Sequence, residues 1–177
     1  MPHTRPTTDI AKEGLFNILQ NNLDFEELKT LDLFGGTGSI SYELASRGVE
    51  DLTIVEKDPK MFEFIKTNAA ALKIDNIKIV RSDVFKFIES CNQQFNFIFA
   101  GPPYALTEID KIPTLIFEKK LLAESGWFVL EHTPRNDYKT FPFYKWERSY
   151  GTTIFSLFVN RGFKILWFYK QFSTDAF

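Results

Sequence analysis

Leu31-Asp-Leu-Phe-Gly-Gly-Thr-Gly-Ser39 (LDLFGGTGS) is the stretch of this 177-residue chain whose reading decides its fold. A short apolar run, Thr30 to Phe34, ends in Gly35, Gly36 and Gly38, and Ile40 to Ser46 then reads as a helix closed by Gly48. A strand that stops in glycines and restarts as a helix is a βα turn. The missing Cβ atoms let the backbone bend sharply and come close to a ligand, which would face the amides at the start of the helix. Asp32 stands just before the loop. The dinucleotide pattern G-x-G-x-x-G would need glycine at Ser41, so that fingerprint is incomplete.

Outward from this turn the same unit recurs. Leu52 to Val55 is a second strand ending at Glu56; Asp58-Pro59 caps and starts a helix that continues to Leu72. Ile77 to Val80 is a third strand, followed by a short helix capped by Ser82 or Asp83. Phe95 to Ala100 is a fourth strand, stopped by Gly101-Pro102-Pro103-Tyr104. A helix is expected from about Ile112 to Leu122, with Gly126 ending the connection to a strand at Trp127 to Glu131. Six or more βα repeats with nearly continuous apolar strands predict an α/β fold with a parallel sheet covered by helices on both faces. Lys145 to Tyr150 and Thr153 to Val159, divided by Gly151, predict an antiparallel hairpin at the sheet edge. Upstream, Asp9 to Leu23 predicts a helix capped by Thr8 or Asp9, with Ile10, Leu15, Ile18, Leu19 and Leu23 as its buried stripe.

The strand ends carry the chemistry, because open α/β sheets bind ligands along their carboxyl edge. Glu56 can accept hydrogen bonds from both hydroxyls of a ribose. Asp83, in VRSD, can accept an exocyclic amine of adenine, or it can merely cap the following helix. In FIFAGPPYAL the two prolines fix φ and remove amide donors, which leaves a rigid platform of carbonyls. Tyr104 beyond them can stack on a flat ring, as aromatics do in single-base recognition; the plainer alternative is a structural turn.

Composition excludes other classes. The chain is 44% hydrophobic, 25% charged and 16% aromatic with 20 Phe, which is globular. Its net charge of −2 excludes a uniformly basic nucleic-acid coat, but the charge is uneven. Residues 1–132 hold 14 basic and 20 acidic side chains, whereas residues 133–177 hold 7 and 3, with 14 of the 29 aromatics. One cysteine, Cys91, excludes an internal disulfide, and two histidines, His3 and His132, argue against a metal centre. A polar N-terminus and the lack of an apolar span predict a cytoplasmic protein without a membrane association.

The run TRPTTDIAKEGLFNIL (4–19), LDLFGGTGSISYELASRG (31–48), VEKDP (55–59), Asp83 and the PPY turn together resemble the bacterial RsmD-type 16S ribosomal RNA guanine-N2 methyltransferases. The similarity runs in order from about Thr4 to Phe158. The glycine loop alone would indicate only a class I methyltransferase; the RPTTD arm combined with PPY is far more specific. The resemblance implies a Rossmann-like class I fold with a seven-stranded, mostly parallel sheet. It also implies S-adenosyl-L-methionine as cofactor and 16S rRNA or the assembling small ribosomal subunit as partner; composition predicts no metal, and the sequence leaves the oligomeric state open with a monomer slightly favoured. Asp32 and the Gly35, Gly36, Gly38 loop would hold the cofactor's methionine end, Glu56 the ribose, Asp83 and Val84 the adenine, with Phe34 and Lys57 as further cofactor-binding residues. Gly101, Pro102, Pro103 and Tyr104 would form the target-base pocket. Arg5, Pro6, Thr7 and Thr8 correspond to an RNA-contacting arm, for which a frayed terminus with a helix cap is the alternative. Arg135, Lys139, Lys145 and Arg148 could add phosphate contacts.

One departure stands out. The family motif has Asp or Asn before Pro-Pro, where this chain has Gly101. Losing one positioned hydrogen bond to a reacting amine slows comparable reactions by about 10²- to 10³-fold. A substituted site, a water or another acid in the gap, or a chain that binds without catalysing are all open explanations. The reading is therefore a guanine-N2 methyltransferase domain over residues 1–159, with residues 1–9 as its arm and 160–177 as an apolar extension. The alternatives are a catalytically weak binding relative, a methyltransferase for another planar amine such as adenine N6, and an NAD-dependent oxidoreductase. His132 and Cys91 read as structural.

Overall fold

The computed structural model describes residues 7–162. Arg5 and Pro6 of the arm, and residues 163–177 of the apolar extension, lie outside this range. Helix α1 (Asp9–Asn22) starts at Thr8, whose Oγ1 accepts the Ala11 amide at 3.3 Å. A one-turn 3-10 helix (Phe25–Glu27) leads into β1 (Lys29–Leu33), and then α2 (Ser39–Ser46), β2 (Asp51–Glu56), α3 (Pro59–Ala71), β3 (Ile77–Arg81), α4 (Val84–Ser90), β4 (Phe95–Ala100), α5 (Lys111–Glu118) and β5 (Leu122–His132) alternate. Strands β6 (Tyr144–Tyr150) and β7 (Thr153–Val159) follow.

The seven strands form one sheet in the order β3-β2-β1-β4-β5-β7-β6. Strands β1 to β5 pair in parallel, and β7 is antiparallel to both β5 and β6. The repeat is thus shorter than six units. Among the described residues, five parallel strands are joined by four helical crossovers, and the expected hairpin completes the edge. Alternate strand residues feed two cores. Leu15 and Phe16 of α1 and Leu44 of α2 pack with Leu52, Phe97, Phe99 and Phe155 on one face; Val84 and Ile88 of α4 and Ile112 and Ile116 of α5 pack with Leu31, Ile98, Phe128 and Phe158 on the other. Burial on both faces explains the unbroken apolar strands. It also absorbs most of the phenylalanines.

Two expectations need correction. Ile10, placed on the buried stripe of α1, is 75% exposed, while Ala11 and Phe16 are buried. The stripe turns toward Phe16 because its ring stacks on Phe25 at 6.5 Å and carries the Arg47 guanidinium 5.1 Å from its centroid. The α5–β5 boundary also moves. Helix α5 stops at Glu118 because Lys120, at φ 56°, turns the chain left-handed, and Leu121 returns its amide to Ile116 at 3.0 Å. Strand β5 therefore begins at Leu122, opposite Phe95, and a register shift between Phe95 and Phe97 carries it past Gly126. Gly126 lies inside the strand, where a Cβ would stand 2.8 Å from the Ala123 carbonyl oxygen.

Candidate functional site

Strand order reverses between β1 and β4, so the loops leaving these two strands diverge and open a crevice at the carboxyl edge. Phe34, directly after β1, holds φ at 65°, a left-handed conformation that a bulky side chain rarely takes. Gly36 (φ 56°) and Gly38 (φ 82°) continue the turn, and Gly38 N-caps α2. Gly35 must be glycine for space, since a Cβ there would meet Ile54 Cγ2 at 2.3 Å. At Gly36 a Cβ would have only the Phe34 carbonyl near it, at 3.8 Å, and would project into open space.

That space is a cavity of about 480 Å³. Asp32, Phe34, Gly35, Gly36, Glu56, Lys57, Asp83 and Val84 line it from β1, β2 and the start of α4; Gly101, Pro102, Pro103 and Tyr104 line it from the end of β4, and Thr7 closes it from the arm. Every position predicted for the cofactor except Gly38 is brought together here, along with the whole predicted base pocket. Gly38 stands outside the cavity, at the N-cap of α2. Thr8 is committed to the cap of α1, and neither it nor Arg148 lines this cavity. Arg135 and Tyr104 share a neighbouring hollow of about 450 Å³ with Thr133, Pro134 and Thr152. Arg148 instead lies over the Trp146 ring at 4.7 Å, Lys145 faces Trp127 at 5.7 Å, and Lys139 pairs with Glu147 at 3.2 Å.

Three carboxylates are held differently. Glu56 joins two loops: its Oε2 accepts the Gly36 amide and its Oε1 the Asp58 amide, each at 2.8 Å. A carboxylate offers about four acceptor sites, so ligand hydroxyls find room beside these two bonds. Asp83 Oδ1 accepts the amides of Phe85 and Lys86 at 3.0 and 3.3 Å, and Oδ2 faces Lys57 Nζ at 3.7 Å. It is a helix cap and a pocket wall at once. Asp32 is buried, and Ser41 donates its hydroxyl to Oδ2 at 2.8 Å. Burial raises its carboxyl from 3.8 to about 7, against the Ser41 bond and with help from the charges of Glu56 and Glu131. Ser41, the residue that breaks the dinucleotide pattern, therefore has a task of its own.

Sequence reasoning missed Glu131. It ends the apolar run of β5, is 4% exposed, and lines the cavity. Thr7 donates its hydroxyl to Oε2 at 2.5 Å, and Tyr104 donates to Oε1 at 3.4 Å. Burial pushes its carboxyl above the usual glutamate range, against the pull of these two hydroxyls. The signal was present, since an acid closing an apolar strand is what singled out Glu56. His132, next along, turns away: one ring nitrogen meets Ser156 Oγ at 2.7 Å, the ring stands edge-on to Tyr138 at 5.0 Å, and burial lowers its basicity.

A family model described as conserved hypothetical protein 95 matches residues 1–159. The chain is 35% identical over 133 residues to "Putative rRNA methyltransferase YlbH" of Bacillus subtilis, covering 73% of this chain and 71% of that protein. It is 29% identical over 141 residues to "Ribosomal RNA small subunit methyltransferase D" of Escherichia coli, covering 80% and 70%. Among solved structures, "Putative methyltransferase yhhF from Escherichia coli" superposes with a TM-score of 0.80 at 25% identity, over 91% of this chain and 90% of that one. An RNA methyltransferase from Salinibacter ruber, in complex with S-adenosyl-L-homocysteine, shares the fold with a TM-score of 0.67 at 15% identity, over 88% and 93%.

Proposed function

The chain belongs to the conserved hypothetical protein 95 family, the RsmD-type methyltransferases, and from that premise we propose that it methylates the exocyclic N2 of a guanine in 16S ribosomal RNA. The donor is S-adenosylmethionine, and the substrate is the RNA or an assembling small subunit in the cytoplasm. The observation that carries this reading is the single cavity in which the acids at the ends of β1, β2 and β3 meet the Pro102-Pro103-Tyr104 turn.

The residues present fit the cofactor. The open cradle above Gly36 is one a Cβ would fill, and it is closed off by carboxylates suited to an amine, a ribose and an adenine. When bound, the cofactor supplies an electrophilic methyl group. The protein's part is alignment, which can lower a barrier by several kcal/mol, about 7 to 11 in well-oriented intramolecular cases. Asp32 receives the cationic amino-acid end, Glu56 the ribose hydroxyls and Asp83 the adenine amine. On the other wall, Leu106 donates to the Pro103 carbonyl at 2.9 Å, so the carbonyl offered to the target amine is that of Pro102. Tyr104, 39% exposed, presents its ring for the base to stack on.

Methylation of small-subunit RNA with labelled cofactor, followed by mapping of the modified nucleotide, tests the proposal. A methyl group on guanine N2 supports it; one on adenine N6 would keep the enzyme class and change the target. Gly101 favours a second reading, a weakly catalytic binding relative. Single-turnover rates separate the two, because a weak catalyst binds cofactor and RNA yet forms product slowly.

A further inference from the structure

We propose that Glu131 is the side-chain acceptor for the target amine, taking the place left without a side chain at Gly101. This rests on the proposed amine methylation and adds the residue that orients the amine. Gly101 lies one residue beyond the Ala100–Leu130 pairing of β4 with β5, so Glu131 is its lateral neighbour across the parallel sheet. A Cβ built at Gly101 would stand 3.4 Å from Glu131 Oε2 and 3.0 Å from Phe99 Cε1. The volume that a residue at 101 would enter is thus bordered by the carboxylate of the next strand and by an aromatic ring.

Charge and hydrogen bonding agree with this role. An amine entering against the Pro102 carbonyl brings two N–H groups, and each needs an acceptor once it leaves water. Among the described residues, the hydroxyls of Thr7, Tyr104 and Thr153 and the carboxylate of Glu131 are hydrogen-bonded together at this corner. Thr7 and Tyr104 donate to Glu131, one to each oxygen, which fixes its orientation and leaves acceptor sites on both oxygens. Among the described residues, two hydroxyls hold this buried carboxylate at the rim of the cavity. An amine N–H held by a fixed carboxylate turns the nitrogen lone pair away from Glu131. No covalent step is assigned to Glu131.

The test combines kinetics with a direct reading of the carboxyl group. Single-turnover methylation of small-subunit RNA by Glu131→Gln is expected to slow by about 10²- to 10³-fold, while calorimetric affinity for S-adenosylhomocysteine stays close to wild type. Gly101→Asp alone should slow the wild-type chain, because it sets a second carboxylate against Glu131; in a Glu131→Ala background it should restore rate. Gly101→Ala reports what the Phe99 contact alone does. Independently of turnover, the carbon-13 resonance of the Glu131 carboxyl should move when guanosine is added with S-adenosylhomocysteine, and inosine, which lacks the amine, should leave it in place. A Glu131→Gln chain as fast as wild type, or equal shifts with guanosine and inosine, overturns the inference. If the wild-type chain fails to methylate RNA, the proposed function falls, and the guanosine-specific shift still decides the role of Glu131.

Discussion

Replacing Asp32 by Asn should make the protein more stable by several kcal/mol at pH 8 and by only about 1 kcal/mol at pH 4.5. Burial raises the Asp32 carboxyl from 3.8 to about 7. Between these values the unfolded chain gives up its proton while the native chain keeps it, so wild-type stability falls as the pH rises through this window. At about 1.4 kcal/mol per unit, the full displacement corresponds to about 4 kcal/mol. Asparagine has nearly the same shape, cannot ionise, and offers an oxygen to the Ser41 hydroxyl that now sits 2.8 Å from Oδ2. Urea unfolding of both chains at about pH 4.5, 6 and 8 isolates the effect, because Glu131 and the other groups titrate in both and largely cancel in the difference. The stability gap should grow in favour of the variant up to pH 7 and then level off, reaching about 3 to 4 kcal/mol. A gap that does not change with pH, or one that comes to favour wild type as the pH rises, would refute the argument that this carboxyl is stranded by desolvation. The same variant should bind S-adenosylmethionine more weakly, since the stranded acid is what a cationic ligand relieves.

Tyr104→Ala should raise the KM for RNA by about 10- to 10²-fold through loss of roughly 1 to 3 kcal/mol of stacking, whereas Tyr104→Phe keeps the ring and should affect mainly kcat, by removing the hydroxyl 3.4 Å from Glu131 and Thr153. Gly38→Ala must accept φ of 82° and a Cβ 2.6 Å from the Tyr42 ring; a loss of about 1 to 3 kcal/mol in thermal unfolding is expected, together with weaker cofactor binding by calorimetry. Arg135→Ala, beside Tyr104, should reduce the slope of log affinity against log salt by about 1 in RNA-binding titrations, while Arg148→Ala, over Trp146, should leave that slope unchanged.

Most of the architecture was legible because its punctuation is local. Asp58 and Asp83 announce helix starts that the structure bears out, with Asp58 Oδ1 accepting the Lys60 and Met61 amides at 2.8 and 3.0 Å. The glycines after β1 and the prolines after β4 mark the two lips of the crevice for the same reason. What escaped the sequence was non-local. The start of β5 depends on a bulge whose Ser125 amide bonds to Asn160 at 2.7 Å, thirty-five residues on. The missing side chain at Gly101 was visible as a gap, but its neighbour Glu131 comes into view only through the β4–β5 register. Ser41 looked like a defect in a glycine pattern until its bond to Asp32 was seen. The exposed Ile10 shows the limit of counting periodicity without knowing which aromatic finds a partner across the core.

The strand order has a consequence for how this chain is made. Strand β6 emerges from the ribosome before β7, yet its ladder partner in the sheet is β7, which lies between it and β5. Until residues 153–159 have emerged, β6 has no place to dock, and β5 stands as the outermost strand with Trp127 to Leu130 lacking the cover of Phe155, Leu157 and Phe158. A nascent chain stalled in the turn at Gly151 therefore carries a long apolar strand with an unpaired edge, the kind of surface that templates association between copies. Seven residues, Thr153–Val159, close that edge, so the pairing of β7 with both β5 and β6 finishes the sheet.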